Sequence, residues 1–111
     1  MNDKNFLKIA HRGYSERYPE NTLLAFRRAM EVGADMIELD VHLSRDAYLV
    51  VLHDDYIDRT SNGSGMVRNF RLEELRSYNF NYGMKEFGFI KIPLLEEVID
   101  LTRGRITYRV K

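Results

Sequence analysis

With 111 residues, 44% of them apolar and 31% charged, the chain has the size and composition of one globular domain, able to bury roughly two-thirds of its unfolded surface without covalent staples. Its 17 basic side chains balance 17 acidic ones, which argues against nucleic acid as the main partner, because neutralising phosphates takes an excess of Lys and Arg. Cysteine is absent, which excludes a disulfide framework, a thiolate metal site and a cysteine nucleophile; no apolar run approaches the roughly 18 to 20 residues of a membrane span, and Met1 to Leu7 is polar, so the expectation is a cytoplasmic protein.

The first pattern in chain order is Phe6-Leu7-Lys8-Ile9-Ala10, a short strand that stops at His11-Arg12-Gly13. After a polar loop through Pro19, Asn21 or Thr22 caps a helix in which Leu23, Phe26 and Met30 recur at helical spacing, with Gly33 just past its end. Met36 to Val41 is rich in branched residues and reads as a second strand. Strand, helix and strand within about 35 residues is the spacing of a βαβ unit with parallel strands. Tyr48 to Leu52 follows a turn at Ser44-Arg45-Asp46 too soon for a crossover helix, so it is expected to pair antiparallel as a hairpin.

Residues 54–91 read as a small insertion, with a turn-forming loop from Arg59 to Gly65 and a short helix around Leu72 to Tyr78. Five of the chain's 13 Phe and Tyr residues fall between Tyr78 and Phe89, and Tyr78, Phe80, Tyr82, Phe87 and Phe89 are expected to cluster locally. Pro93 then starts a helix with Leu94, Leu95, Val98 and Leu101, closed by Gly104, and Ile106 to Val110 reads as a further strand. The alternation of strands and helices gives an α/β class. Parallel strands need cover on both faces, and no helix follows this strand, so the architecture reads as incomplete.

Alternation along the second strand puts Ile37, Leu39 and Val41 on one face and Glu38 and Asp40 on the other, about 6.5 to 7 Å apart. If that face is buried, a divalent cation held by oxygen ligands is an economical counter-charge; if the strand is at an edge, the two carboxylates are simply in water. His11 and His53 each follow directly on an apolar run, at strand C-terminal ends, where parallel α/β folds bind ligands. Each is either a structural histidine or a proton-transfer group. Arg12 has the fork geometry for a phosphate, or is a solvated charge. His42 points with Glu38 and Asp40 if the strand continues and is otherwise a loop residue. Asn62 to Gly65 lacks the lysine and the strand-to-helix setting of a P-loop and reads as a turn.

Ala10-His11-Arg12-Gly13, Pro19-Glu20-Asn21-Thr22, Ile37-Glu38-Leu39-Asp40-Val41, Val50-Val51-Leu52-His53-Asp54-Asp55, Asp58-Arg59-Thr60 with Gly63 and Gly65, and Ile92-Pro93-Leu94-Leu95-Glu96-Glu97 occur in this order and spacing. The set resembles the N-terminal part of the glycerophosphodiester phosphodiesterase family. The resemblance implies a TIM-type (β/α)8 barrel of which residues 1–111 form a partial domain, leaving the barrel incomplete. It implies metal-dependent hydrolysis of glycerophosphodiesters to glycerol 3-phosphate and an alcohol, with His11 and His53 as general acid and base, Arg12 and Lys111 holding phosphate, Glu20 lining the site, and Glu38 and Asp40 binding Ca²⁺ or Mg²⁺. A sphingomyelinase-D-like activity would need similar residues, but such enzymes are usually exported, and no export signal is visible.

One position departs from the pattern. The family's third strand ends like Asn-Ile-Glu-Ile-Lys, with the Glu as a further metal ligand; here the stretch is Thr107-Tyr108-Arg109-Val110-Lys111. Arg109 in the acid's place is expected to pair bidentately with Glu38 or Asp40 and to weaken cation binding. The expected partner is a small phosphodiester, with self-association through the unfinished sheet. The competing expectation is a non-catalytic remnant that binds phosphate or a partner without turnover.

Overall fold

A computed structural model of the chain describes residues 8–111, so the Phe6 and Leu7 part of the first predicted strand lies outside the described residues. In chain order the elements are β1 (Ile9–His11), α1 (Leu23–Glu31), β2 (Met36–Leu39), β3 (Val41–Leu43), β4 (Leu49–Val51), α2 (Leu72–Leu75), α3 (Leu95–Thr102) and β5 (Thr107–Val110). Single 3-10 turns lie at Val67–Asn69 and Lys85–Phe87.

β1, β2 and β5 form a parallel sheet in the order β1-β2-β5. The register sets Ala10 beside Ile37 and Ile37 beside Tyr108, and, one residue on, His11 beside Glu38 and Glu38 beside Arg109. Adjacent rows face opposite sides of a sheet. One side therefore carries Ile37 and Leu39 into a core with Phe26 and Ala29 of α1, Val98 of α3 and Val51, while the other side carries His11, Glu38 and Arg109. This α/β arrangement is the predicted one.

Helix α1 begins where Thr22 Oγ1 accepts from Ala25 N at 3.1 Å, which makes Thr22 rather than Asn21 the N-cap. Helix α3 begins with Glu97 reaching back to Leu94 N at 2.9 Å. Leu23, Phe26 and Ala29 of α1 and Leu95, Val98 and Leu101 of α3 turn to the sheet.

The second predicted strand breaks at Asp40. Val41 leaves the parallel sheet and pairs with Val51 in an antiparallel β3–β4 hairpin, as the short spacing to the next apolar run required. Beyond β4, a second core gathers Val50, Leu52, Ile57, Val67, Leu75, Phe80, Ile92 and Leu94, with Phe70 and Tyr78 packed against it. The expectation of a single aromatic cluster is corrected here. Phe80 is buried and Tyr78 packs edge-on against Phe70, but Tyr82 and Phe89 are exposed, and Phe87 stacks on Tyr18 at 5.3 Å between centroids. Aliphatic residues, Ile57, Val67 and Leu75 from within the insertion and Val50, Leu52, Ile92 and Leu94 from its flanks, fill the space that the aromatic rings were expected to fill.

Candidate active site

The loop after β1 is drawn tightly against α1. Gly13 has φ +82°, and a Cβ there would lie 2.8 Å from Ala25 Cβ, so only glycine allows this approach. Arg12 and Asn21 take left-handed backbone conformations at φ 60° and 54°, each costing of order 1–3 kcal/mol unless the surroundings fix it. The surroundings do: Arg12 N donates to Glu38 O at 2.7 Å and Asn21 N to Arg12 O at 2.9 Å. The strained pair hangs over the end of β2.

Glu38 on β2 and Asp40 just past its end are both buried, at 7% and 9% exposure. His11 Nε2 lies 3.1 Å and Lys111 Nζ 3.3 Å from Glu38 Oε1, and Arg109 Nη1 lies 3.3 Å from Oε2. Burial pushes the Glu38 carboxyl up, but Lys111, His11 and Arg109 together outweigh it and hold it below the ordinary carboxylate range. Asp40 Oδ2 accepts from Asn21 Nδ2 at 3.2 Å, with Arg12 Nε 3.7 Å away.

Arg109 thus meets Glu38 through one nitrogen, not by the two-pronged contact expected, and Lys111 is engaged by the same carboxylate. Glu20 accepts from Arg59 at 2.9 and 2.8 Å, with Arg12 Nη1 at 3.5 Å. Burial pushes the Glu20 carboxyl up, but Arg59 and Arg12 outweigh it, for a net shift downward. His53 Nδ1 lies 2.9 Å from Asp54 Oδ1. His42 sits on β3, and its Nε2 donates to His53 O at 3.0 Å, so this histidine braces the other rather than joining the acidic pair.

The structure thus gathers His11 and Lys111 on Glu38, and Arg12 on Asp40 and Glu20, and the backbone hydrogen bond from Arg12 N to Glu38 O joins the two sets. His53 belongs to the adjoining Asp54–Arg59–Glu20 chain. Sequence reasoning missed Arg59, Asp54 and Asn21 as participants. All three fall inside the motifs quoted above, which was the available signal.

The donor set does not fit a divalent cation well. Such ions take about six or more oxygen ligands, several of them carboxylates. Among the described residues no group of three or more His, Cys, Asp or Glu is arranged to hold one, and both Glu38 oxygens already face basic side chains.

The model of the glycerophosphoryl diester phosphodiesterase family matches residues 11–110, and the chain belongs to that family. A glycerophosphodiester phosphodiesterase of Caldanaerobacter subterraneus subsp. tengcongensis is 54% identical over 97 residues, covering 86% of this chain and 40% of that protein. A crystal structure of the glycerophosphodiester phosphodiesterase from Agrobacterium tumefaciens str. C58 superposes with a TM-score of 0.89 at 36% identity, over 95% of this chain and 46% of the other. An Oleispira antarctica phosphodiesterase solved with the product sn-glycerol-3-phosphate gives 0.90 at 34% identity, over 95% and 43%. The chain therefore spans less than half the length of these relatives.

Proposed function

We propose that the chain carries the first part of a (β/α)8-barrel site that hydrolyses glycerophosphodiesters to glycerol 3-phosphate and an alcohol. Water adds its oxygen to phosphorus, the P–O bond to the alcohol breaks, one histidine takes the proton from water and the other gives a proton to the departing oxygen. His11 and His53 are assigned these two roles. Arg12 and Lys111 supply positive charge for the phosphate, and Glu20 lines the site and holds Arg12 in place. Family resemblance alone assigns Ca²⁺ or Mg²⁺ to Glu38 and Asp40, and the basic side chains on both Glu38 oxygens stand against that assignment. The setting proposed is cytoplasmic, in keeping with a cysteine-free sequence, and among the described residues no helix is long and apolar enough to cross a membrane.

The observation that carries the reading is the convergence of His11, Arg12, Glu38 and Asp40 at the C-terminal ends of parallel strands in a member of this family. One contact favours a second reading, binding of phosphate without turnover: Arg109 on Glu38 places a single charge where a metal would place two. Phosphorus NMR separates the two. A glycerophosphodiester resonance converting to a phosphomonoester, faster in Arg109→Glu with Mg²⁺ or Ca²⁺ and lost in His11→Ala and His53→Ala, is the expected result. Turnover indifferent to both histidines overturns the assignment, and a shifted glycerol 3-phosphate resonance with no conversion in either protein establishes the second reading.

A further inference from the structure

Arg59 stands in the insertion, outside the roles assigned above, yet its guanidinium joins two loops of the site. Its Nε donates to Asp54 Oδ2 at 2.9 Å and its Nη2 to Asp54 Oδ1 at 3.0 Å. The other edge donates to Glu20, Nη1 to Oε1 at 2.9 Å and Nη2 to Oε2 at 2.8 Å. The Tyr82 ring lies 5.8 Å from the guanidinium carbon and adds a cation–π contact. A planar fork with five N–H donors can grip two carboxylates by both oxygens at once; an ammonium with three donors cannot make those four bonds.

The consequence falls on His53. Asp54 Oδ1 lies 2.9 Å from His53 Nδ1, and an ionised carboxylate only accepts hydrogen bonds, so the hydrogen between them belongs to Nδ1. In the neutral ring the lone pair is then on Nε2. Arg59 and His53 hold the Asp54 carboxyl down at about 2, and two carboxylates raise the Arg59 guanidinium further above its usual range, so the charges persist at neutral pH. The carbonyl of His53 is fixed separately by His42.

We propose that Arg59 is a positioning residue: by clamping Asp54 against Glu20, it holds the His53 imidazole in the Nδ1–H tautomer and leaves Nε2 free to take or give the proton. The hydrolytic meaning of this rests on the role proposed for His53; the tautomer itself does not. It also assigns the insertion a purpose, since residue 59 comes from a segment otherwise occupied with its own small core.

The test is long-range proton–nitrogen correlation NMR on the full chain labelled with nitrogen-15 histidine, at about pH 8, where an ordinary imidazole is neutral. The unmodified chain is expected to show His53 protonated on Nδ1. Asp54→Ala and Arg59→Ala are expected to lose that form as the major one, while His11 and His42 keep their signals. Arg59→Lys retains charge and bulk but not the double fork, and it decides the matter if Arg59→Ala perturbs all three histidines: loss of the Nδ1–H form in Arg59→Lys supports the proposal. An Nε2–H form in the unmodified chain, or an Nδ1–H form persisting in Arg59→Lys, overturns it. The readout needs no turnover, so absence of hydrolysis with the predicted tautomer counts against the proposed activity alone.

Discussion

Glu38 and Arg109 stand opposite each other in the parallel β2–β5 register, and Arg109 Nη1 lies 3.3 Å from Glu38 Oε2. The carboxylate that resemblance assigns to a metal is therefore already met by a strand neighbour, with His11 in the same row on the other side. Replacing Arg109 by Glu changes the local charge by two units and turns an internal counter-ion into a third oxygen donor. Arg109→Glu is expected to bind Mg²⁺ or Ca²⁺ at least about tenfold more tightly than the unmodified chain, which is ~1.4 kcal/mol. Calorimetry giving equal affinities, or no binding to either protein, would show that Arg109 is not what limits cation binding.

Gly13 offers a test of how the site is held. At φ +82°, with Ala25 Cβ 2.8 Å from where its own Cβ would be, Gly13→Ala forces both backbone strain and a clash with α1. The expected loss is about 1–3 kcal/mol or more, read as a lower urea midpoint with an unchanged slope. Gly33→Ala, also at positive φ but with open space around it, is expected to cost less because only the strain applies.

The contrast between those two glycines marks what could be read from sequence. Periodicity placed α1, α3 and the three parallel strands, and strand alternation placed Glu38 and Arg109 on one side of the sheet, because these depend on local pattern. It did not foresee that β2 would end at Asp40 and hand the chain to a hairpin, since Met36 to Val41 is continuous in composition. Nor did it find the Arg59 bridge, whose partners Glu20 and Asp54 come from separate loops. A fork between loops leaves no period in the sequence; only the quoted motifs carried a trace of it.

The β5 edge of the sheet predicts association. Ile9, Tyr108 and Val110 are 44%, 38% and 41% exposed, and along β5 every residue is exposed. An uncovered edge strand with apolar side chains is a template for another chain. Size-exclusion chromatography is expected to show a species that grows with concentration, and Val110→Lys is expected to shift it towards monomer. A concentration-independent monomer would remove self-association from the account.

The carboxylates of the site also predict acid lability, and the sign follows from their shifts. Asp54 titrates at about 2 against an ordinary 3.8, and Glu20 and Glu38 are lowered too. A carboxyl with a depressed folded-state pKa stabilises the fold above its unfolded value, and that contribution drains away as pH falls through the folded value. For Asp54 the loss runs from about 3.8 down to about 2. Arg59→Ala removes the largest cause of that shift, so the variant is expected to be less stable near neutrality and to lose less on acidification. Urea midpoints at pH 7 and pH 3 for both proteins check this. The gap between them should narrow at pH 3; a constant gap would mean that Arg59 acts on stability through packing, not through the Asp54 charge.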